Sequence, residues 1–464
     1  MVVRIADPLT EKREECGIVG IFSKTGEDVA PYLYRALVAL QHRGQDAAGL
    51  AVHDGGGIEA RRGIGLVDGV FRPEDLGAKG RLGIGHTRYP TYGECRMCDV
   101  QPMVFGEHAA AHNGHLANYE ALRKELEKDG YEFTSSVDSE VMVYLMHREK
   151  DAEKAVGSMM GKVEGAFSVA AISRGKLIVF RDPFALRPLV WGENDDFICF
   201  ASETVALDIN GIPYRGDIRG GEIAVVDGGK IHRKQLAPEK ARHCMFEYVY
   251  FSRPDSLING KSVYEVRKRL GEILASEAPA DADVVVPVPD TSRTAAASYG
   301  KALGLPVEEG LIKNRYIGRT FIMPSQEKRS DAVRLKLNPI GNIVAGKRVV
   351  LVDDSIVRGT TLKEIVALVR KAGAREIHLR ITCPPVRAPC FYGVDMSSYS
   401  ELIANKKSVA EIKDYLGAES LSYISLEGLK KAVGLQLCTA CLSEEYHTDF
   451  VRNMAMLIKR SELK

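Results

Sequence analysis

The segment VVLVDDSIVRGTT (349–361) sets two adjacent carboxylates, Asp353 and Asp354, at the end of a β-branched run and follows them with a small, hydroxyl-rich loop. That set of groups suits a phosphorylated sugar. In open α/β sheets ligands bind beyond the carboxyl ends of the strands, so the two acids can reach ribose hydroxyls or a Mg²⁺ held by a diphosphate. Ser355, Arg358, Gly359, Thr360 and Thr361 lead into TTLKEIVALVRKA (360–372), an amphipathic stretch closed by Gly373 that reads as a helix. A phosphate at its start would meet backbone N–H groups and hydroxyl donors. A bare pair of acids can instead cap a helix, and the pair alone does not separate the two readings. A second string, APADADVVVPVPDTSRTAAA (278–297), repeats the order strand, polar loop, small-residue helix. Its Asp290, Thr291, Ser292 and Arg293 suit a diphosphate, with helix capping again the plain alternative.

Near the amino terminus Cys16 opens CGIVGIF, with QHRGQD (41–46), GHTRY (85–89) and HNG (112–114) downstream. A lone cysteine is more often a small buried hydrophobe than a nucleophile, and HNG alone is a good turn. The elements that must position these groups are short strands separated by glycines. GRLGIGHTRYPT (80–91), HAAAHNGHLAN (108–118) and GAFSVAAI (165–172), with a helix over 138–147, predict an α+β domain built on antiparallel sheet.

The 349–361 string resembles the ribose-5-phosphate loop of type I phosphoribosyltransferases. Cys16 and its three downstream motifs resemble the glutaminase domain of amidotransferases whose nucleophile is an amino-terminal cysteine. Over nearly its full length the chain is similar to the glutamine phosphoribosylpyrophosphate amidotransferase family. The resemblance implies a propeptide (1–15), an α+β N-terminal-nucleophile glutaminase domain (16–240) of stacked antiparallel sheets between helices, and an α/β type I phosphoribosyltransferase domain (241–464) with a parallel, Rossmann-like sheet. Removing the propeptide would free the amine of Cys16. An α-amine of pKa ~7.7–8.0 can accept the proton of a thiol of pKa ~8.5, a base that an internal cysteine lacks.

Carried over residue by residue, the resemblance gives the side chain of Asn113 and the backbone of Gly114 to the oxyanion. It gives Arg88 to the glutamine α-carboxylate, Asp138 to the α-amine, and Arg43 to the support of the cysteine site. Asp290, Ser292 and Arg293 would hold the diphosphate, Thr291, Asp353 and Asp354 the Mg²⁺, and Ser355, Arg358, Gly359, Thr360 and Thr361 the ribose phosphate. The basic stretch 313–339 becomes a lid, with Arg315, Arg319 and Lys328 its first cations to consider. The implied reaction hydrolyses glutamine at Cys16 and delivers ammonia internally to phosphoribosyl pyrophosphate. Its products are 5-phosphoribosylamine, diphosphate and glutamate, at the first committed step of purine synthesis. FEYVYFSRPDS (246–256) would relay between the sites through Tyr250. Purine-nucleotide inhibition and a homo-oligomer, a tetramer, are implied as well.

Nine cysteines without a secretion signal argue for catalysis or metal binding rather than a disulfide framework. Cys438 and Cys441 form a CxxC, and Cys244 and Cys390 are available to complete a four-thiolate site compatible with zinc or a [4Fe–4S] cluster. The family resemblance selects the cluster, as a structural tie between domains. Cys95 and Cys98 form a second CxxC read as inert thiols, and Cys199 and Cys383 are read as packing residues. GNIVAGKR (341–348) comes close to a P-loop but has Arg where Ser or Thr belongs and precedes a strand instead of following one, so it is read as a turn. Lys plus Arg (63) nearly cancels Asp plus Glu (62), which leaves no global field to recruit nucleic acid or anionic membrane. No apolar run approaches the ~20 residues that span a bilayer, and residues 1–15 lack the apolar core of a signal peptide, so a cytoplasmic location is expected.

Overall fold

The computed structural model describes residues 16–89, 96–149, 151–314, 337–394, 396 and 398–462. The expected propeptide, Cys95, and Arg315, Arg319 and Lys328 of the expected lid lie outside them.

The amino-terminal half stacks two antiparallel sheets. The first runs Tyr214–Asp217, Val190–Glu193, Phe197–Ala201, Gly17–Ser23, Leu82–Arg88, Ala47–His53, Ile58–Ile64 in spatial order. The second runs Lys230–Gln235, Glu222–Asp227, Lys176–Arg181, Gly165–Ser173, His108–Leu116, Met103–Phe105. Central strands such as Gly17–Ser23 and Gly165–Ser173 are buried along their whole length, which is why they read as unbroken runs of small and apolar residues. Between the sheets lie Ile18, Phe22, Ile84, Ala109, Ala111, Ala170 and Val179. The outer faces are covered by helices. Leu33 and Leu37 of helix Ala30–Ala39 join Val19 and Leu50 of the first sheet, and Val141 and Leu145 of helix Ser139–Arg148 join Phe167 and Val169 of the second. Close approach of the first helix depends on Gly85, where a Cβ would stand 2.9 Å from Val19 and 3.0 Å from Leu37.

The carboxy-terminal half is built on a parallel sheet in the order Val284–Pro287, Arg348–Asp353, Glu376–Ile381, Ser420–Tyr423. Both of its faces are covered, so period two in these strands separates two apolar faces rather than an apolar from a polar one. Val285, Val350 and Val352 meet helices Val263–Glu277 and Arg293–Leu303 on one side. Val349 and Leu351 meet helices Thr360–Lys371 and Val409–Leu416 on the other. The stretch read as a turn contains a one-turn helix, Gly341–Val344, because Ala345 N–H can close back on the Gly341 carbonyl at 2.8 Å; it still precedes its strand, so the P-loop order is absent. A π-helical turn, Glu247–Phe251, joins the halves, and a single apolar cluster runs through it from Val19 to Val352.

Two candidate active sites and a four-thiol cavity

Strand Gly17–Ser23 begins directly after Cys16 and pairs Gly17 with Thr87, which sets Arg88 and Tyr89 beside the cysteine. Cys16 Sγ is 3.8 Å from the Tyr89 carbonyl oxygen. The second sheet supplies Asn113 and Gly114 on strand His108–Leu116, and a hydrogen-bond contact of 3.2 Å between His86 Nε2 and the His112 carbonyl ties this strand to the one bearing Arg88. Two features mark the site as built for a ligand. Asn113 Nδ2 and Arg88 Nε are buried donors with no hydrogen-bond partner among the described residues, a condition that costs ~1–3 kcal/mol for a typical group. Gly114 has φ +142°, and a Cβ there would lie 2.0 Å from the Ala166 carbonyl oxygen, so only glycine fits.

Asp138, at the start of helix Ser139–Arg148, accepts the Leu116 N–H at 2.8 Å and has His112 Nδ1 and His115 Nδ1 at 3.7 and 3.5 Å. Burial would raise its pKa, but the two imidazoles more than offset this and hold the carboxyl well below its usual range.

Arg43 anchors the cysteine from behind. Its Nε donates to the Cys16 carbonyl at 3.1 Å, Nη1 to Glu203 Oε1 at 2.6 Å, and Nη2 to Glu247 Oε1 at 2.7 Å. Glu203 also meets His42 Nε2 at 2.7 Å and accepts from Arg253 N–H at 2.9 Å and Ser256 Oγ at 2.6 Å. Burial would push the Glu203 pKa up, but His42, Arg43 and the Ser256 hydroxyl overcome it and the group stays ionised. Glu203 and Glu247 are partners of Arg43 that sequence reading missed. Glu247 lies inside the 246–256 string already singled out for Tyr250, which was the available signal; Glu203 had none.

At the second site, adjacent parallel strands Val284–Pro287 and Arg348–Asp353 end side by side, and their two loops meet. Ser292 Oγ donates to Asp353 Oδ1 at 3.3 Å, the Asp354 N–H donates to the same oxygen at 2.8 Å, and Ser355 Oγ donates to Asp354 at 3.1 Å. Asp290 has Arg293 Nη2 at 3.5 Å and Lys313 Nζ at 3.8 Å, while Arg293 Nη1 donates to Glu309 at 2.7 Å. Gly359 has φ +77° and caps helix Thr360–Lys371, whose first residues are Thr360 and Thr361. Arg358 turns to Glu401, 2.7 Å away.

Four thiols converge elsewhere. The parallel pairing of His243–Cys244 with Leu437–Cys438 puts Cys244 opposite Cys438, and the turn Ala440–Ser443 brings in Cys441. With Cys390 these line one cavity, walled also by Leu186, Phe246 and Tyr392. Burial pushes Cys438 up to about 12, and burial together with the neighbouring thiols holds Cys441 well above the usual thiol range. Such thiols ionise only beside a strong positive charge. Among the described residues no group of three or more His, Cys, Asp or Glu is arranged around a single ion. Four thiols lining one cavity are the donor chemistry of a thiolate-held metal group. Cys199 and Cys383 are buried, and Cys98 sits beside Asp99 with Sγ 3.8 Å from its carboxylate.

Residues 93–208 match the glutamine amidotransferase domain and residues 256–414 the phosphoribosyl transferase domain. The chain is 49% identical over 455 residues to amidophosphoribosyltransferase of Methanothermobacter thermautotrophicus, covering 95% of this chain and 96% of the relative. It is 43% identical over 463 residues to that of Bacillus subtilis, covering 96% of each. Among solved structures, glutamine phosphoribosylpyrophosphate amidotransferase from B. subtilis complexed with ADP and GMP superposes with TM-score 0.88 at 42% identity, over 94% of this chain and 98% of that one. A structure described as the allosteric regulatory enzyme of purine biosynthesis superposes with TM-score 0.90 at 41% identity, over 96% and 99%.

Proposed function

The chain belongs to the amidophosphoribosyltransferase family, and on that premise we propose how its residues divide the work of a glutamine-dependent phosphoribosyltransferase of purine biosynthesis. The Cys16 thiolate attacks the glutamine side-chain carbonyl after its own freed α-amine has taken the proton. Asn113 Nδ2 and the Gly114 N–H receive the oxyanion, each such donor being worth ~2.7–4 kcal/mol by precedent. Arg88 holds the α-carboxylate and Asp138 the α-ammonium. Ammonia leaves, and water hydrolyses the thioester to glutamate. Inside the protein the ammonia attacks C1 of phosphoribosyl pyrophosphate and displaces diphosphate, giving 5-phosphoribosylamine. Internal delivery turns a bimolecular encounter into a local one.

The loop with Asp290, Ser292 and Arg293 holds the diphosphate, and the loop from Ser355 through Arg358 and Gly359 to Thr360 and Thr361 holds the ribose phosphate. Thr291, Asp353 and Asp354 would hold Mg²⁺, which when bound neutralises charge on the leaving diphosphate. Cys244, Cys390, Cys438 and Cys441 would hold a [4Fe–4S] cluster, which supplies a structural crosslink among three segments of the carboxy-terminal half rather than between the halves, since all four ligands lie in 241–464. Lys328, with Arg315 and Arg319, belongs to the lid in this reading. Purine nucleotides act as inhibitors; the B. subtilis neighbour with ADP and GMP supports this. A cytoplasmic homo-oligomer, a tetramer, completes the proposal on family resemblance. Among the described residues no helix is long and apolar enough to cross a membrane.

The observation that carries this reading is the pair of buried donors, Asn113 Nδ2 and Arg88 Nε, without partners beside Cys16, in a chain whose other half joins two phosphate-type loops through Ser292 and Asp353. The test is diphosphate release from phosphoribosyl pyrophosphate and Mg²⁺ on anaerobically purified protein, with glutamine or ammonium as donor. Wild type should use both, and Cys16→Ala ammonium alone. Equal loss of both activities in Cys16→Ala would remove the two-site reading.

A further inference from the structure

Gly114, the glycine read above as an oxyanion donor, is pressed from two sides. One side is its own sheet, where Ala166 leaves no room for a Cβ. The other is Gly393, from the loop that carries Cys390 in the far half of the chain. A Cβ on Gly393 would lie 2.9 Å from the Gly114 carbonyl carbon and 3.1 Å from its Cα, so the two backbones are in direct contact. Gly393 has φ +106°, a conformation that glycine alone holds without strain.

Arg187 holds this contact in place. Its buried guanidinium donates from Nε at 3.0 Å and from Nη2 at 2.5 Å to the carbonyl of Tyr392, the residue before Gly393. Its own carbonyl accepts from Ser168 Oγ at 3.0 Å and Arg181 Nε at 2.6 Å. Ser168 is the strand partner of Asn113, the other oxyanion donor. One residue therefore links the strand beside the oxyanion donors, through its backbone carbonyl, to the loop that touches Gly114, through its guanidinium. None of these bonds serves the phosphoribosyl loops.

We propose that Gly393 and Arg187 are positioning residues for the oxyanion hole: the far half of the chain sets the direction of the Gly114 N–H and completes the glutaminase site. The proposal rests on the reading of Asn113 and Gly114 as oxyanion donors. An oxyanion hole acts only if its donors meet the tetrahedral oxygen rather than the ground-state carbonyl. Loss of the contact should therefore appear in turnover and not in substrate binding.

The test uses full-length Gly393→Ala and Arg187→Lys, the second adding no Cβ and removing one of the two donors to Tyr392. Asn113→Ala serves as the reference. Each is assayed for kcat and KM with glutamine and for ammonium-dependent diphosphate release. Binding is measured for glutamate and for glutamate γ-semialdehyde, whose aldehyde adds the Cys16 thiol to give a hemithioacetal with its oxygen in the hole. Both variants should lose at least ~10-fold in glutamine kcat with KM changed less than ~2-fold, and weaken the aldehyde in proportion. Glutamate binding and ammonium-dependent release should hold. If Gly393→Ala does not fold, Arg187→Lys decides. Unchanged aldehyde affinity in Arg187→Lys, with Asn113→Ala weakened, overturns the positioning role. Unchanged affinity in Asn113→Ala overturns the oxyanion assignment itself, and equal loss of glutamine and ammonium activities reduces the contact to general stability.

Discussion

Arg43 donates to Glu247 across 2.7 Å, and that contact joins the carbonyl of Cys16 to the π-helical turn between the two halves of the chain. The same turn is gripped from its other end by Arg267, which donates to the carbonyls of Tyr248, Tyr250 and Ser252 at 2.9, 2.9 and 2.8 Å. Arg267 belongs to helix Val263–Glu277, and Ser298 Oγ from helix Arg293–Leu303 donates to the Lys268 carbonyl of that helix at 2.7 Å. Contacts therefore run unbroken from behind Cys16 to the helix that opens with Arg293.

Breaking the first link should separate the two activities. Removing one partner of a buried ion pair costs ~3–5 kcal/mol because the other charge is left unpaired. Glu247→Ala should lower the urea midpoint, and Glu247→Gln should lower it less. In Glu247→Gln the glutamine-dependent rate should fall ~10-fold or more while the ammonium-dependent rate holds. Parallel loss of both rates would show that the pair serves only stability.

Asn113→Ala should lower kcat with glutamine by ~10²–10³ and leave KM nearly unchanged, as expected for a donor used only in the transition state. Steady-state kinetics with glutamine, alongside ammonium as control, reads this directly. A rise in KM at constant kcat would instead make Asn113 a ground-state binding residue.

Acid should weaken the fold in a predictable window. Burial, then the charges of Arg88 and His112, push the His86 pKa down from 6.5 to about 3. The unfolded chain takes up a proton below 6.5 that the folded chain refuses until about 3, so stability falls as pH drops through that interval. One such group contributes up to ~1.4 kcal/mol per pH unit. His243 and His447, pushed down to about 4 by burial, add to the loss. Asp182, raised to about 6 by burial, acts in the opposite sense: the stability it contributes at low pH is lost as pH rises through 6. Urea midpoints at several pH values should show the net decline on acidification, and His86→Gln should flatten it by the equivalent of one proton. An unchanged slope in that variant would dismiss His86 as a source.

Cys438→Ser and Cys441→Ser should each remove iron, sulfide and visible absorbance from anaerobically purified protein, and lower its thermal midpoint because the bound group would tie together the segments that carry Cys244, Cys390 and Cys438. Stoichiometric zinc in the wild-type protein would replace the cluster assignment.

Much of this protein is readable locally. The phosphate-type loops are contiguous strand–loop–helix units, so their carboxylates, hydroxyls and glycines announce themselves within a dozen residues, and 349–361 folds as strand Arg348–Asp353 and helix Thr360–Lys371. Buried central strands such as Gly165–Ser173 are equally legible, because a strand covered on both faces must be small and apolar throughout. Arg358 shows the limit of that reading, since its pairing with Glu401 depends on a loop brought back from beyond the third strand of the sheet. Arg43 likewise carries no hint of Glu203 or Glu247, nor Gly114 of Gly393. Sequence alone determined which side chains were present and which local units would display them, since strand period, helix capping and turn chemistry act over a few residues. Only the tertiary structure decided which distant charges neutralise one another and which backbone packs against Gly114, because those choices are made by sheet register and by the packing of one half of the chain on the other.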